Sequence, residues 1–374
     1  MIREYTLAAA AGVALTVLLE LLVLRTGLFR DPRYWVALAV VAAFQLLVNG
    51  VLTCPPIVSY DPAEILGPRI VCAPIEDLGF GFAMVTTTIA LWRRAGSAPR
   101  GPLTSEKRNG MERVEVGGLG IAYRRVGSGP VLLLVHGGLG DSRDWRRQLE
   151  GLGGELTVVA WDAPGCGGSD DPPETFRLAD YADCLAGFVG ALGIERPHVC
   201  GLSFGGGLAL ELYRRHPAVP RSLVLASAYA GWAGSLPPQV VRERLEQVDR
   251  EAGLPPEQWV RGYLPGLFTD SAPPELLEEA AAIMLDVRPA GMRAMARSFA
   301  EADLRGVLPG IRVPTLLLYG DADRRSPLGT VAAELHRRIP GSRLRILPGV
   351  GHAANMEDPE QFNAELRGFL RLVP

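Results

Sequence analysis

The pentapeptide Gly201-Leu202-Ser203-Phe204-Gly205 lies between a short apolar run, Pro197 to Cys200, and a helical pattern from Gly206 to His216. A serine hydroxyl is a poor nucleophile until it is held clear of the backbone beside a base, and a tight strand-to-helix turn meets the first condition. Such a turn leaves no room for a Cβ on either side of the serine, so Gly201 and Gly205 carry the signal as much as Ser203 does. Taken alone, the pentapeptide also fits a strand followed by a glycine-rich helix start with an incidental serine. The rest of the chain decides between the two readings.

If Ser203 is a nucleophile on such a turn, its partners follow it in the order serine, acid, histidine. Of the five histidines, His136 and His198 precede Ser203. His216 ends the helix that starts at the serine, about 15 Å or more away at ~1.5 Å per residue, and His336 lies in a charged helical stretch. His352 remains, in the glycine-rich loop Pro348-Gly349-Val350-Gly351-His352-Ala353 after the last apolar run. The acid is expected after Thr315 to Tyr319, where Gly320-Asp321-Ala322-Asp323 offers two carboxylates. Asp321 follows the run directly and suits a turn cap, whereas Asp323 lies further out, where it suits orienting His352. Backbone donors for an oxyanion are expected at Gly138, within His136-Gly137-Gly138-Leu139-Gly140, and at Phe204.

Short apolar runs alternate with helical patterns throughout this part of the chain. Val131 to Val135, Leu156 to Ala160, Pro197 to Cys200, Ser222 to Ala226, Thr315 to Tyr319 and Arg343 to Leu347 read as buried parallel strands. Asp180 to Leu192, Gly206 to His216, Gly329 to Arg338 and Pro359 to Leu370 read as helices, and Met111 to Val126 as a leading hairpin. That alternation predicts a doubly wound, mostly parallel sheet. Between Ala230 and Gly310 an insertion carries Trp232, Trp259, Tyr263, Phe268, Met284, Met292, Met295 and Phe299, which read mostly as the core of a helical lid, with a hydrophobic small-molecule substrate weakly favoured.

Together with the loop Trp161-Asp162-Ala163-Pro164-Gly165-Cys166-Gly167-Gly168-Ser169, these features make Arg113 to Val373 closely resemble the α/β-hydrolase superfamily. The resemblance implies hydrolysis of an ester, thioester, lactone or amide through an acyl-enzyme, with Ser203, Asp323 and His352 as the catalytic set. Serine at position 203 points away from epoxide hydrolases and haloalkane dehalogenases, whose nucleophile there is aspartate. Gly165 to Gly168 lacks the strand-turn-helix spacing of a dinucleotide fingerprint, so no cofactor is expected.

The chain as a whole is 48% hydrophobic with a mean hydropathy of +0.15, too apolar for an ordinary soluble enzyme, and part of it is expected in lipid. A net charge of −3 without a basic run gives no electrostatic case for nucleic acid. Lys107 is the sole lysine, leaving no Schiff-base or phosphate-loop lysine. The five cysteines are scattered without a Cys-x-x-Cys pair, which argues against zinc and against a disulfide scaffold; Cys54 and Cys72 flank one loop, an arrangement open to pairing.

Tyr5 to Leu24, Tyr34 to Thr53 and Ile70 to Trp92 read as three transmembrane helices. Arg25, Arg30 and Arg33 follow the first, Arg93, Arg94 and Arg100 follow the third, and the middle loop holds only Arg69. The positive-inside rule then places the N-terminus outside and everything after residue 93 in the cytoplasm, a multi-pass protein of the cell (inner) membrane. Glu76 and Asp77 at the head of the third span read either as functional carboxylates at membrane depth or as an interfacial first turn started by Pro74.

The run from Met1 to Arg94, with Ser59-Tyr60-Asp61-Pro62 and Pro74-Ile75-Glu76-Asp77, resembles the lycopene cyclase domain of bacterial heterodimeric cyclases. The resemblance implies that Pro74, Glu76 and Asp77 form a motif for carotene cyclisation, one acid delivering a proton to an alkene and its neighbour removing one from a carbocation. That family works as two such modules, so a single copy implies a second cyclase-like subunit. Domains are thus expected at 1–94 (membrane), 95–110 (linker) and 111–374 (hydrolase, lid about 230–310). The functions to be weighed are a membrane-tethered serine hydrolase, a cyclase subunit with an accessory hydrolase, and an idle hydrolase fold used for interaction.

Overall fold

The computed structural model describes residues 4–24, 27–54, 58, 60–61, 64–97 and 110–373; Arg25, Ser59, Pro62, Arg100 and most of the expected linker lie outside the described residues. The chain divides into two compact units, Met1–Thr104 and Ser105–Pro374.

In the first unit, α1 (Glu4–Leu18) runs on as a π-helical turn over Leu19–Leu24, followed by α2 (Pro32–Thr53) and α3 (Glu76–Ser97). Among the described residues two helices, Glu4–Leu24 and Tyr34–Thr53, are long and apolar enough to cross a membrane. The third expected span is corrected on two counts. Its first residues are not helical, because Arg69–Ile70 and Ala73–Pro74 pair as a short antiparallel hairpin. Val71 and Cys72 turn that hairpin with φ of 49° and 65°, and a disulfide ties Cys72 to Cys54. Pro74 is accordingly a strand residue rather than a helix starter, and α3 opens on Glu76 and Asp77. Two acids and three consecutive threonines then dilute its apolar character.

The threonines have a packing use. Thr86 Oγ1 pairs with the Tyr34 hydroxyl at 2.7 Å, and Thr87 Oγ1 with Thr16 Oγ1 at 3.0 Å, so α3 is joined to its neighbours by hydroxyl pairs.

The second unit is built on an eight-stranded sheet: β1 (Met111–Val116), β2 (Leu119–Val126), β3 (Val131–Val135), β4 (Thr157–Trp161), β5 (His198–Leu202), β6 (Ser222–Ala226), β7 (Thr315–Gly320) and β8 (Arg343–Leu347). The spatial order is β8-β7-β6-β5-β3-β4-β2-β1. The first hairpin and its junction with β4 are antiparallel, and all other pairs are parallel. The strands read as unbroken apolar runs because both faces are covered. In β3, Leu132 and Leu134 join one core with Leu149 and Leu152 of α4 (Arg146–Leu152), Phe362 and Leu366, while Leu133 and Val135 join the opposite core under α5 (Leu178–Ala191) and α6 (Phe204–Arg215). β5 runs two residues further than the apolar pattern, to Leu202, which delivers the chain directly to Ser203.

Four helices form the insertion between β6 and β7: α7 (Pro238–Glu251), α8 (Val260–Leu267), α9 (Pro274–Leu285) and α10 (Pro289–Glu301). Proline opens three of them, where its missing N–H has no intrahelical role. They share one apolar cluster that also takes in Ala353 and Met356, just beyond His352.

Candidate active site

Ser203 occupies the turn between β5 and α6 with φ 53° and ψ −110°, a backbone state that non-glycine residues adopt only when the surroundings impose it. The surroundings do so tightly. A Cβ on Gly201 would lie 2.1 Å from Gly205 O, and one on Gly205 would lie 2.2 Å from Val135 O, so neither position accepts a side chain. Ser203 N–H is committed to Ala226 O at 2.8 Å. Phe204, the first residue of α6, has by its position no intrahelical acceptor for its N–H.

His352 and Asp323 reach this turn from two other loops. Asp323, three residues past β7, is buried, and its carboxylate accepts from His352 Nδ1 at 2.9 and 3.0 Å. Arg325 N and Ser326 N each donate to it at 2.9 Å, and Ser326 Oγ makes a further short contact. Burial alone would raise the Asp323 pKa, but the charge and hydrogen bond of His352, with the bonds from Ser326, outweigh it and hold the group at about 2. Asp321 points elsewhere and accepts from Gly349 N at 2.8 Å, the turn-capping use. Ser227 Oγ donates to His352 O at 2.9 Å and fixes the loop from below.

Ser203, Phe204, Gly137, Gly138 and His352 line one cavity. Ser203 and His352 face the same cavity without a direct hydrogen bond between them. The loop carrying Gly138 is held by two buried groups that the sequence does not single out. His136 Nδ1 donates to Gly137 O at 2.7 Å, a tautomer set by Nε2 accepting from Ala163 N at 2.9 Å. Asp162 accepts from Ser142 N at 2.7 Å and Gly168 N at 2.8 Å, tying that loop to the one after β4.

Seven of the aromatic and methionine residues expected mainly as lid core (Trp232, Tyr263, Phe268, Met284, Met292, Met295 and Phe299) face the cavity, and Trp259 does not. Tyr263, Phe268, Met284 and Met292 also pack in the lid cluster, and Met295 and Phe299 in the core against the sheet, so these side chains are core and cavity wall at once. One carboxyl and two guanidinium-bearing residues also line the space: Asp144, Arg244 and Arg325. Burial, and then the nearby Asp141 charge, push the Asp144 pKa well above the usual carboxylate range.

The other histidines are engaged away from this cavity. His198 Nδ1 pairs with Ser222 Oγ at 2.8 Å, and burial lowers its pKa to about 4. His216 Nε2 meets Asp183 at 2.7 Å, and His336 Nδ1 meets Ser342 Oγ at 2.9 Å. Among the described residues no group of three or more His, Cys, Asp or Glu side chains is arranged to hold a metal.

In the first unit Glu76 and Asp77 are both buried. Asp77 accepts from Tyr5 at 2.6 Å, Asn49 at 2.7 Å and Tyr60 at 2.8 Å, while Gln45 donates to its carbonyl at 2.6 Å. Glu76 Oε1 accepts from Thr6 Oγ1 at 2.7 Å and Leu66 N at 2.6 Å. The two acids therefore knot α1, α2 and the intervening loop to the head of α3.

A family model described as "Alpha/beta hydrolase family" matches residues 132–365, and one described as "Lycopene cyclase" matches residues 3–94. The protein "Putative carbamate hydrolase RutD" of Pantoea ananatis (strain LMG 20103) is 31% identical over 252 residues, which cover 64% of this chain and 88% of that protein. A thermophilic esterase from Thermogutta terrifontis is similar in structure, with a TM-score of 0.66 and 31% identity over 70% of this chain and 99% of its own. An enol-lactonase from Burkholderia xenovorans LB400 gives a TM-score of 0.64 at 26% identity, over 69% and 99% of the two chains.

Proposed function

This chain belongs to the alpha/beta hydrolase family and carries an N-terminal lycopene cyclase domain, and from that premise we propose that it is a membrane-anchored serine hydrolase. The observation that carries the reading is the strained Ser203 turn opening into the same cavity as a His352 ring already oriented by Asp323. In the proposed cycle His352 takes the proton of Ser203 Oγ as the oxygen attacks an acyl carbon. Asp323 keeps the ring in the tautomer with Nδ1–H and stabilises the imidazolium that forms. Gly138 and Phe204 N–H groups receive the oxyanion, and His352 then protonates the leaving group. Water, deprotonated by the same ring, cleaves the acyl-enzyme and restores Ser203.

The relatives are named for carbamate, ester and enol-lactone chemistry, so the reading commits to acyl transfer to water rather than to one leaving group. The direct test is stopped-flow hydrolysis of a 4-nitrophenyl ester by the full chain in detergent. An acyl-enzyme gives a burst matching the enzyme concentration, and Ser203→Ala removes burst and turnover; turnover that survives in the variant rejects the scheme.

Membrane anchoring is supported by the outer faces of α1 and α2, where Leu15, Leu22, Val36, Val40, Phe44, Leu47 and Val51 are exposed. Apolar helix faces of that kind are what lipid covers. The Cys54–Cys72 bridge lies between α2 and α3, and disulfides persist in oxidising compartments. This agrees with the arginine distribution in putting that loop outside, and with the 22-residue α3 as a third crossing the hydrolase unit is then in the cytoplasm. The second reading, a lycopene cyclase subunit, is favoured by the family match together with the buried Glu76 and Asp77. The carotenoid link and a partner subunit belong to that reading.

A further inference from the structure

The cavity that holds Ser203 is apolar over most of its wall, yet two guanidinium groups line it. Arg244 comes from the lid helix α7 and Arg325 from the loop that carries Asp323. Neither has a carboxylate in ion-pair contact among the described residues. Aromatic faces hold them instead: Arg244 lies 5.7 Å from the Tyr229 ring centroid and 5.5 Å from that of Trp232, and Arg325 lies 5.5 Å from that of Tyr263. Arg244 spends its polar contacts on the Tyr229 hydroxyl (3.4 Å) and Arg325 O (3.2 Å).

The nearby acids are engaged. Asp323 is committed to His352 and Ser326, and Glu251, on the same helix as Arg244, accepts from Tyr263 at 2.5 Å and Gln247 at 2.9 Å. Asp144, on the loop after β3, is the remaining carboxyl on the wall, and burial favours its neutral form. Burial, with the like charge of Arg244, also draws the Arg325 pKa below its ordinary value, as expected of a cation denied a counter-ion. Aromatic faces fix a guanidinium in place without using its in-plane N–H groups, so those of Arg325, and those Arg244 does not donate to Tyr229 and Arg325 O, stay available for a planar anion. Two like charges held beside one largely apolar wall repel, and an anion bound between them offsets that cost.

We propose that the substrate of this site carries a carboxylate, bound by Arg244 and Arg325, on an apolar acyl chain whose carbonyl reaches Ser203. The proposal rests on the hydrolase reading for the bond cleaved. Tyr229 sets the spacing, since its ring centroid is 6.3 Å from that of His352 and 5.7 Å from the Arg244 guanidinium carbon. The anion site and the base thus both adjoin one aromatic ring, a proximity suited to the hemi-ester of a short dicarboxylic acid.

The test compares mono-4-nitrophenyl glutarate with 4-nitrophenyl valerate on the full chain in detergent, after subtraction of the uncatalysed rates. The two acyl chains have equal length and differ in a terminal carboxylate against a methyl group. The wild-type chain should favour the glutarate in kcat/KM by about tenfold or more, and Arg325→Gln should lower that ratio by about 30-fold or more. Arg244→Gln, on the lid helix and not on the loop that holds Asp323, supplies a second arm with the same expected direction. A wild-type preference for valerate, or an unchanged ratio in both variants, overturns the proposal. If neither ester is hydrolysed, calorimetric titration with monomethyl glutarate and dimethyl glutarate separates the two readings. Binding of the monoester alone, lost in Arg244→Gln, sustains the anion site while the hydrolase reading falls; no difference between the two ligands overturns the anion site itself.

Discussion

The Asp323 carboxylate accepts the His352 Nδ1–H at 2.9 Å inside a pocket where both side chains are almost wholly shielded, 0% and 3% exposed. Asp321, two positions away, caps the Gly349 turn. Two carboxylates at the end of one strand thus have separate uses, set by where each loop turns.

That separation predicts the outcome of removing each charge. Asp323→Asn should lower kcat by roughly 10⁴-fold, because an amide no longer selects the productive His352 tautomer. Asp321→Asn should leave kcat within a factor of about 3, as a turn cap outside the reacting set. Steady-state ester hydrolysis by the two variants checks the assignment, and a larger loss at Asp321 would reverse it.

The same contact makes stability depend on pH. Asp323 has a folded pKa of about 2 against an ordinary 3.8, so its ionised form favours the folded state. The contribution, on the order of 2 kcal/mol, is complete above the unfolded value and is lost as pH falls through the folded one. Thermal midpoints of the wild-type chain and Asp323→Asn should therefore converge between about pH 5 and about pH 2. A gap that stays constant across that range would contradict the pairing.

Much of this site was legible because its constraints are local. Gly201 and Gly205 mark a turn in which a Cβ would strike backbone, and the apolar runs mark strands covered on both faces. The rest depends on contacts between distant segments. Ser326, which bonds Asp323 and lies 3.3 Å from His352 Nδ1, follows the acid by three residues but is recognisable only once the loop is folded. Arg244 and Arg325 meet over Tyr229, and no sequence period relates them. In the helical unit, hydropathy over Ile70 to Ile75 looked like the start of a span, but the disulfide and hairpin take those residues out of the helix.

That bridge gives a topological prediction. In intact cells a membrane-impermeant maleimide should label Cys54 and Cys72 only after an impermeant reductant is added, and external protease should spare the unit after residue 110. Labelling that requires permeabilised cells would place the loop, and with it the hydrolase, on the opposite sides.

The cyclase reading has its own variant. Coexpressed with a complementary lycopene cyclase subunit, the chain should convert lycopene to cyclic carotenes, and Glu76→Gln should abolish this by removing the transferable proton while keeping the side chain's size. Ester hydrolysis should continue unchanged. Cyclic products at the wild-type level from the variant would leave Glu76 as a packing residue that bonds Thr6 and Leu66.

The central claim is that Ser203 is the nucleophile. The most direct measurement is labelling of the full chain in native membranes with a fluorophosphonate probe, followed by peptide mass mapping. The account predicts a single adduct on Ser203, absent from Ser203→Ala and strongly reduced in His352→Ala although both variants accumulate in the membrane. An adduct on another residue, or undiminished labelling of Ser203→Ala, would contradict it.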